Sequence, residues 1–186
     1  MRLWKVVSFV TSVPSFACIT FLLLLPLVAS ENALVSIALS ICFLTVLPLA
    51  IVFYFVRKGE VDWELSSLEK RPKVFGLVTL CYLLNALSLH LINAPHLFRL
   101  LSLCYLLNGI VFTLISLRWK ISVHTAGVAG PVTFLVYAYG IIASLLYLLT
   151  IPVAICRLKL EKHSIGQALA GICTAIALTI VAIAIG

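Results

Sequence analysis

The chain has 186 residues, of which 63% are hydrophobic and 10% charged, with a mean hydropathy of +1.23 and a formal net charge of +7. These values exclude an ordinary soluble domain, because the long uncharged runs leave too little polar surface to face water. About 20 apolar helical residues cross a hydrocarbon layer of roughly 30 Å, and several such runs follow one another, so the fold class is all-α, a polytopic transmembrane helix bundle in one integral membrane domain spanning residues 1–186.

The first run covers residues 6–29. It ends in the small residues "LVAS", but it is longer than the roughly 7–15 apolar residues of a signal-peptide core, so it is expected to stay as a span. The second and third runs cover 34–56 and 74–95, the latter interrupted by His90. The fourth covers 97–117, with Arg99 near one end. Residues 121–156 carry no formal charge, yet as one helix they would be about 54 Å long at 1.5 Å per residue. A break near Gly140 divides them into 122–139 and 141–156, with Pro131 and Pro152 bending or thinning the two pieces. The last run is 164–186. This reading gives seven spans, or six if the first lies flat or the 121–156 run tilts as one.

Seven spans place Arg2, Lys5, Arg57, Lys58, Lys70, Arg71, Lys73, Arg118, Lys120, Arg157, Lys159 and Lys162 on one side and leave Arg99 near the other. Lys and Arg in short loops stay in the cytoplasm, so the basic face is expected inside a cell membrane. Topology, with attraction to anionic lipid heads, accounts for most of the positive charge. No nucleic-acid motif accompanies it, and membrane lipids are the expected partners.

The six cysteines fall in or at the edges of spans without CxxC spacing, as small buried hydrophobes do. "CYLLN" occurs at 81–85 and again at 104–108, so Asn85 and Asn108 are candidates for a hydrogen bond between adjacent helices.

Three basic clusters remain: "EKRPK" at 69–73, "RWKISVH" at 118–124 and "CRLKLEKHSIGQ" at 156–167. His163 and Gln167 are four apart, as are Lys120 and His124, so each pair shares a helical face if helical, and Ser164 is a candidate N-cap. Helix N-termini suit anions. Histidine serves as nucleophile or proton donor near neutral pH, while Arg and Lys stabilise phosphoryl oxygens. Two histidines among several cations at one membrane face point to phosphoryl transfer from a lipid; the bland alternative is a set of interfacial cations with capping histidines.

The order and spacing of the three clusters resemble the type 2 phosphatidic acid phosphatase superfamily, whose motifs are Lys-x6-Arg-Pro, Pro-Ser-Gly-His and Ser-Arg-x5-His-x3-Asp. Arg71 and Pro72 keep the end of the first, Ser122 and His124 the second, and Arg157 and His163 the third, over roughly residues 57–175. The chain departs from the pattern at Glu64 (Lys), Ile121 (Pro), Val123 (Gly), Cys156 (Ser) and Gln167 (Asp). The resemblance implies that His163 attacks phosphorus, that His124 protonates the leaving alkoxide and activates water, and that Arg71, Arg157 and Ser122 bind the phosphate. Gln167 would orient His163 without adding charge, and Lys120 would replace the cation missing at Glu64.

Such chemistry needs no metal or other cofactor. The acidic residues Glu60, Asp62, Glu64 and Glu69 are interleaved with basic ones and lack an aspartate-rich magnesium motif. The expected function is hydrolysis of a phosphatidate-like or polyprenyl phosphate or diphosphate. Two other classes stand beside it: a non-catalytic relative that binds lipid phosphates or acts as a scaffold, and a small transporter component, which the scarcity of intramembrane charge disfavours.

Overall fold

The computed structural model describes residues 12–186, which form helices and connecting turns with no strand among them. The helices are α1 (Val13–Leu24), α2 (Ala33–Arg57), α3 (Arg71–Leu91), α4 (His96–Ile115), α5 (Val123–Tyr139), α6 (Ile141–Lys159) and α7 (Ile165–Ile185). Five of them, α2, α3, α4, α6 and α7, are long and apolar enough to cross a membrane. Arg2, Lys5 and the start of the run expected at 6–29 lie outside the described residues. What is described of that run is the short α1, extended by a tight turn over Leu25–Leu27.

Proline sets several helix starts, since its fixed φ suits the first turn and its missing N–H needs no partner there. Pro14 and Pro72 stand in the first turns of α1 and α3, and Pro95 is the N-cap of α4. Inside α2, Cys42–Val46 widens into a π-turn just before Pro48, where the missing N–H and the ring disturb the regular ladder. The break expected near Gly140 separates α5 from α6, and Gly140 has φ 86°, a left-handed conformation that favours glycine. The first half of α6, Ile141–Leu149, is wound as a 3₁₀-helix ahead of Pro152, so it is longer per residue than an α-helix.

α5 is the central rod. Every residue from Thr125 to Leu135 is buried, and the small residues of "TAGVAGPVT" let its neighbours approach on all sides. It packs against α7, α1 and α6, while α3 pairs with α4 and α2 lies against α3. Phe21 and Phe98 meet at 5.4 Å between ring centroids, and Tyr82 and Tyr105 meet edge-on at 5.8 Å. The apolar side chains left outside, such as Leu80 and Leu87 on α3 and Ile142 and Leu145 on α6, suit a hydrocarbon solvent.

The two "CYLLN" asparagines do not bond each other. Asn108 Nδ2 donates to the Cys104 carbonyl at 2.9 Å and reaches Thr179 Oγ1 on α7 at 3.4 Å, while the fully buried Asn85 has no hydrogen-bond partner among the described residues. The polar link between α3 and α4 is Thr79 Oγ1 to Thr113 Oγ1 at 3.0 Å. A repeat in sequence gives no facing pair, because antiparallel neighbours bring together positions set by the turn between them.

Candidate functional site

One end of the bundle gathers the polar residues. Ser122 is the buried N-cap of α5: its Oγ accepts from Thr125 N–H at 3.5 Å, and its own N–H donates to the Gln167 carbonyl at 3.2 Å. Thr125 Oγ1 donates to the Ala168 carbonyl at 3.0 Å. These bonds fasten the start of α5 to the first turn of α7. They require Gly171, since a Cβ there would run into the Ser122 carbonyl and come within 2.6 Å of Thr125 Oγ1.

His163 stands just ahead of α7. Ser164 is the N-cap, and with Gln167 it forms a capping box: Ser164 Oγ accepts from Gln167 N–H at 3.3 Å, and Gln167 Oε1 accepts from Ser164 N–H at 3.2 Å. The same Oε1 is 3.1 Å from His163 Nδ1, which is also 3.2 Å from the Lys120 carbonyl oxygen. Both partners are acceptors, so Nδ1 carries the proton and the lone pair sits on Nε2. Burial, and then repulsion by Arg157 and Arg71, push the imidazole pKa down to about 4, although the Gln167 bond opposes the shift. The ring is therefore neutral at neutral pH, in the tautomer that keeps the lone pair on Nε2.

Arg71 and Arg157 are each 1% exposed, among the largest fully buried side chains in the protein. Arg71 opens α3, lies over the Phe75 ring at 4.9 Å and donates from Nη1 to the Ile121 carbonyl at 3.2 Å; its Nε has no hydrogen-bond partner among the described residues. Arg157, from the end of α6, is 2.5 Å from Glu64 Oε2 through Nη1. Glu64 belongs to the loop between α2 and α3, which is held across the site at a second point: Lys162 Nζ lies 3.5 Å from Asp62 Oδ2 and donates to Ser66 Oγ at 3.0 Å. Ser66 in turn bonds both Asp62 oxygens at 2.6 Å, which fixes the turn that carries Glu64. The Ser66 bonds and Lys162 hold the Asp62 carboxyl below its ordinary pKa against the opposing effect of burial.

The expected helical relation between Lys120 and His124 is corrected. α5 starts at Val123, behind the Ser122 cap, so Lys120 lies in the turn between α4 and α5 and presents its carbonyl to His163. Its ammonium is nevertheless at the site: desolvation, then repulsion by Arg71 and Lys162, lowers its pKa. His124, in the first turn of α5, is close enough to Arg157 and Arg71 to feel their charges, and its Nδ1 has no hydrogen-bond partner among the described residues.

Arg71, Lys120, Ser122, His124, Arg157, His163 and Gln167 thus converge. Sequence reasoning treated Glu64 as a departure from the motif and as one acid of a charge-balanced loop, and gave Lys162 no site role. The signal for Glu64 was its acidic identity at a position where the resemblance wants a cation.

A cavity of about 660 Å³ leads away from this cluster. Glu64, His124 and Lys162 line its polar end, and its walls are mostly apolar down to Leu101 and Tyr105 on α4, with Thr79, Asn108 and Thr179 among them. Along α4 it runs from Phe112 to Leu101, about 16 Å at 1.5 Å per residue, or roughly half a bilayer core. No protein-family model, curated protein or solved structure matches the chain.

Proposed function

We propose that the chain is a membrane-embedded phosphohydrolase of lipid phosphates or diphosphates, with its basic loops and site at the cytoplasmic face and six to seven spans. The observation that carries this reading is the pairing of a neutral, Nδ1-protonated His163 with two buried guanidiniums, Arg71 and Arg157. A structural histidine has no need of an Nε2 lone pair beside two desolvated cations. The apolar cavity that opens beside Glu64, His124 and Lys162 at the same end of the bundle favours a substrate with a hydrocarbon chain.

In the first step His163 Nε2 donates its lone pair to phosphorus. The P–N bond forms as the P–O bond to the leaving group breaks, and the leaving alkoxide takes a proton from the imidazolium form of His124, which the negative charge of the bound phosphate stabilises against the neighbouring guanidiniums. Arg71, Arg157 and Lys120 bind the non-bridging oxygens, where negative charge concentrates in the transition state. Ser122 fixes the start of α5 and so the place of His124. In the second step His124 removes a proton from water, the hydroxide attacks the phosphohistidine, the P–N bond breaks, and phosphate leaves. No step passes through a metal.

The pair between Glu64 and Arg157 favours a second reading, a relative that binds lipid phosphate without turnover. Phosphate release by the full chain in detergent with excess chelator, from phosphatidates, single-chain phosphates and polyprenyl phosphates and diphosphates, separates the two. Turnover that falls at least about a hundredfold in both His163→Ala and His124→Ala is expected for the enzyme. Lipid phosphate binding with no release from any member of the panel would establish the second reading.

A further inference from the structure

We propose that Glu64 is a built-in competitor of phosphate: its carboxylate holds the place on Arg157 that a phosphate must take, so only anions whose hydrocarbon chain supplies the binding energy to displace it bind strongly. This rests on the reading of Arg71 and Arg157 as a phosphate site.

The geometry has three parts. Glu64 Oε2 is 2.5 Å from Arg157 Nη1, a contact distance that a phosphoryl oxygen would also adopt. The glutamate lines the same cavity as His124, so an anion seated for attack meets it directly. Finally, Glu64 comes from a connecting loop held at a separate point by the Lys162 contacts to Asp62 and Ser66, whose partners are partly exposed, so the carboxylate can swing out without disturbing a helix.

When no substrate is present, Glu64 is the counter-ion of the buried Arg157 charge. The same carboxylate repels an incoming phosphate and must be displaced, which weakens every phosphate ligand by one common factor. A ligand with only a headgroup, including the inorganic phosphate that the reaction would release, then binds poorly. A ligand that also buries a chain in the apolar cavity offsets the loss. The consequence is a site that free phosphate does not block.

The test measures binding of inorganic phosphate to the full-length protein in detergent by calorimetry, and its inhibition of lipid phosphate turnover. Glu64→Gln keeps the volume and an oxygen for Arg157 but removes the charge. It should bind inorganic phosphate at least about tenfold more tightly than the wild type, and tighten a long-chain phosphate by the same factor, because like-charge juxtaposition costs several kcal/mol. Glu60→Gln on the same loop should change the affinity less than about threefold, since its pair with Lys73 is partly exposed and lies outside the cavity.

Should Glu64→Gln fold poorly, the second measurement is thermal stability of Glu64→Ala with added phosphate, which should raise its melting temperature more than that of the wild type. Unchanged or weaker phosphate affinity in folded Glu64→Gln, or no excess stabilisation of Glu64→Ala, would overturn the proposal. Tighter phosphate binding without hydrolysis of any lipid would sustain it while ending the phosphatase reading.

Discussion

Gln167 Oε1 accepts from two donors at once, Ser164 N–H at 3.2 Å and His163 Nδ1–H at 3.1 Å, so one amide oxygen closes the cap of α7 and fixes the tautomer of the candidate nucleophile. A carboxylate in this place would perform both tasks and would also stabilise the imidazolium that a charge-transferring step develops.

Gln167→Asp should therefore turn over lipid phosphate as fast as the wild type or faster, whereas Gln167→Leu should lose at least about tenfold in kcat by releasing the ring, together with about 1 kcal/mol of capping. The measurement is kcat and KM on one lipid phosphate, with melting temperatures to confirm folding. A clear loss of kcat in a folded Gln167→Asp protein would refute the orienting role.

The depressed pKa of His163 makes a stability prediction of definite sign. The unfolded histidine takes up a proton near 6.5, while the folded one resists until about 4. The unfolded state thus binds more protons through this window, and the protein loses stability as the pH falls from 6.5 toward 4, with no contribution from this group above it. The integrated effect is on the order of 3 kcal/mol. Melting temperature against pH should show this acid limb, and His163→Asn should flatten it; an equal slope in the variant would assign the effect elsewhere.

Much of the fold was legible because a bilayer imposes one length and one polarity on every span. The apolar runs give the helices within a few residues at most ends, and Gly140 gives the break between α5 and α6. Local winding was not legible: the π-turn at Cys42–Val46 and the 3₁₀ half of α6 arise from proline and packing, which leave no periodic signal in a uniformly apolar run. At the site, spacing brought out the pairing of His163 with Gln167, because Gln167 in the first turn of α7 reaches back over the Ser164 cap to the residue just ahead of it. It misled for Lys120 and His124, because the Ser122 cap starts α5 between them. The position of Glu64 against Arg157 depends on a loop whose path is fixed by Asp62, Ser66 and Lys162, contacts that no short-range pattern encodes.

Two glycines give a controlled comparison. A Cβ at Gly171 meets backbone of α5, which cannot give way without opening the contact that joins Ser122 to Gln167, whereas a Cβ at Gly76 in α3 meets nothing within 4 Å. Gly171→Ala should cost about 1–3 kcal/mol and most of the activity, since overpacking displaces both histidine-bearing helix starts. Gly76→Ala should be neutral or stabilising by up to about 1 kcal/mol through helix propensity. Thermal unfolding in detergent checks both, and equal effects at the two positions would argue against the close approach of α5 and α7.

The buried pair of Glu64 and Arg157 allows stability and function to be separated. Arg157→Leu alone leaves the mostly buried Glu64 carboxylate without the guanidinium beside it and should destabilise by about 3–5 kcal/mol, the usual cost of breaking such a pair from one side. Replacing both, in Arg157→Leu with Glu64→Leu, removes the uncompensated charge and should recover most of that loss, because desolvating two charges consumes much of what their attraction returns. Phosphate affinity and turnover should nevertheless stay lost in the double variant, since a guanidinium of the anion site is gone. A double variant that regains turnover along with stability would show that Arg157 serves the fold alone, and the phosphate would then have to rest on Arg71 and Lys120.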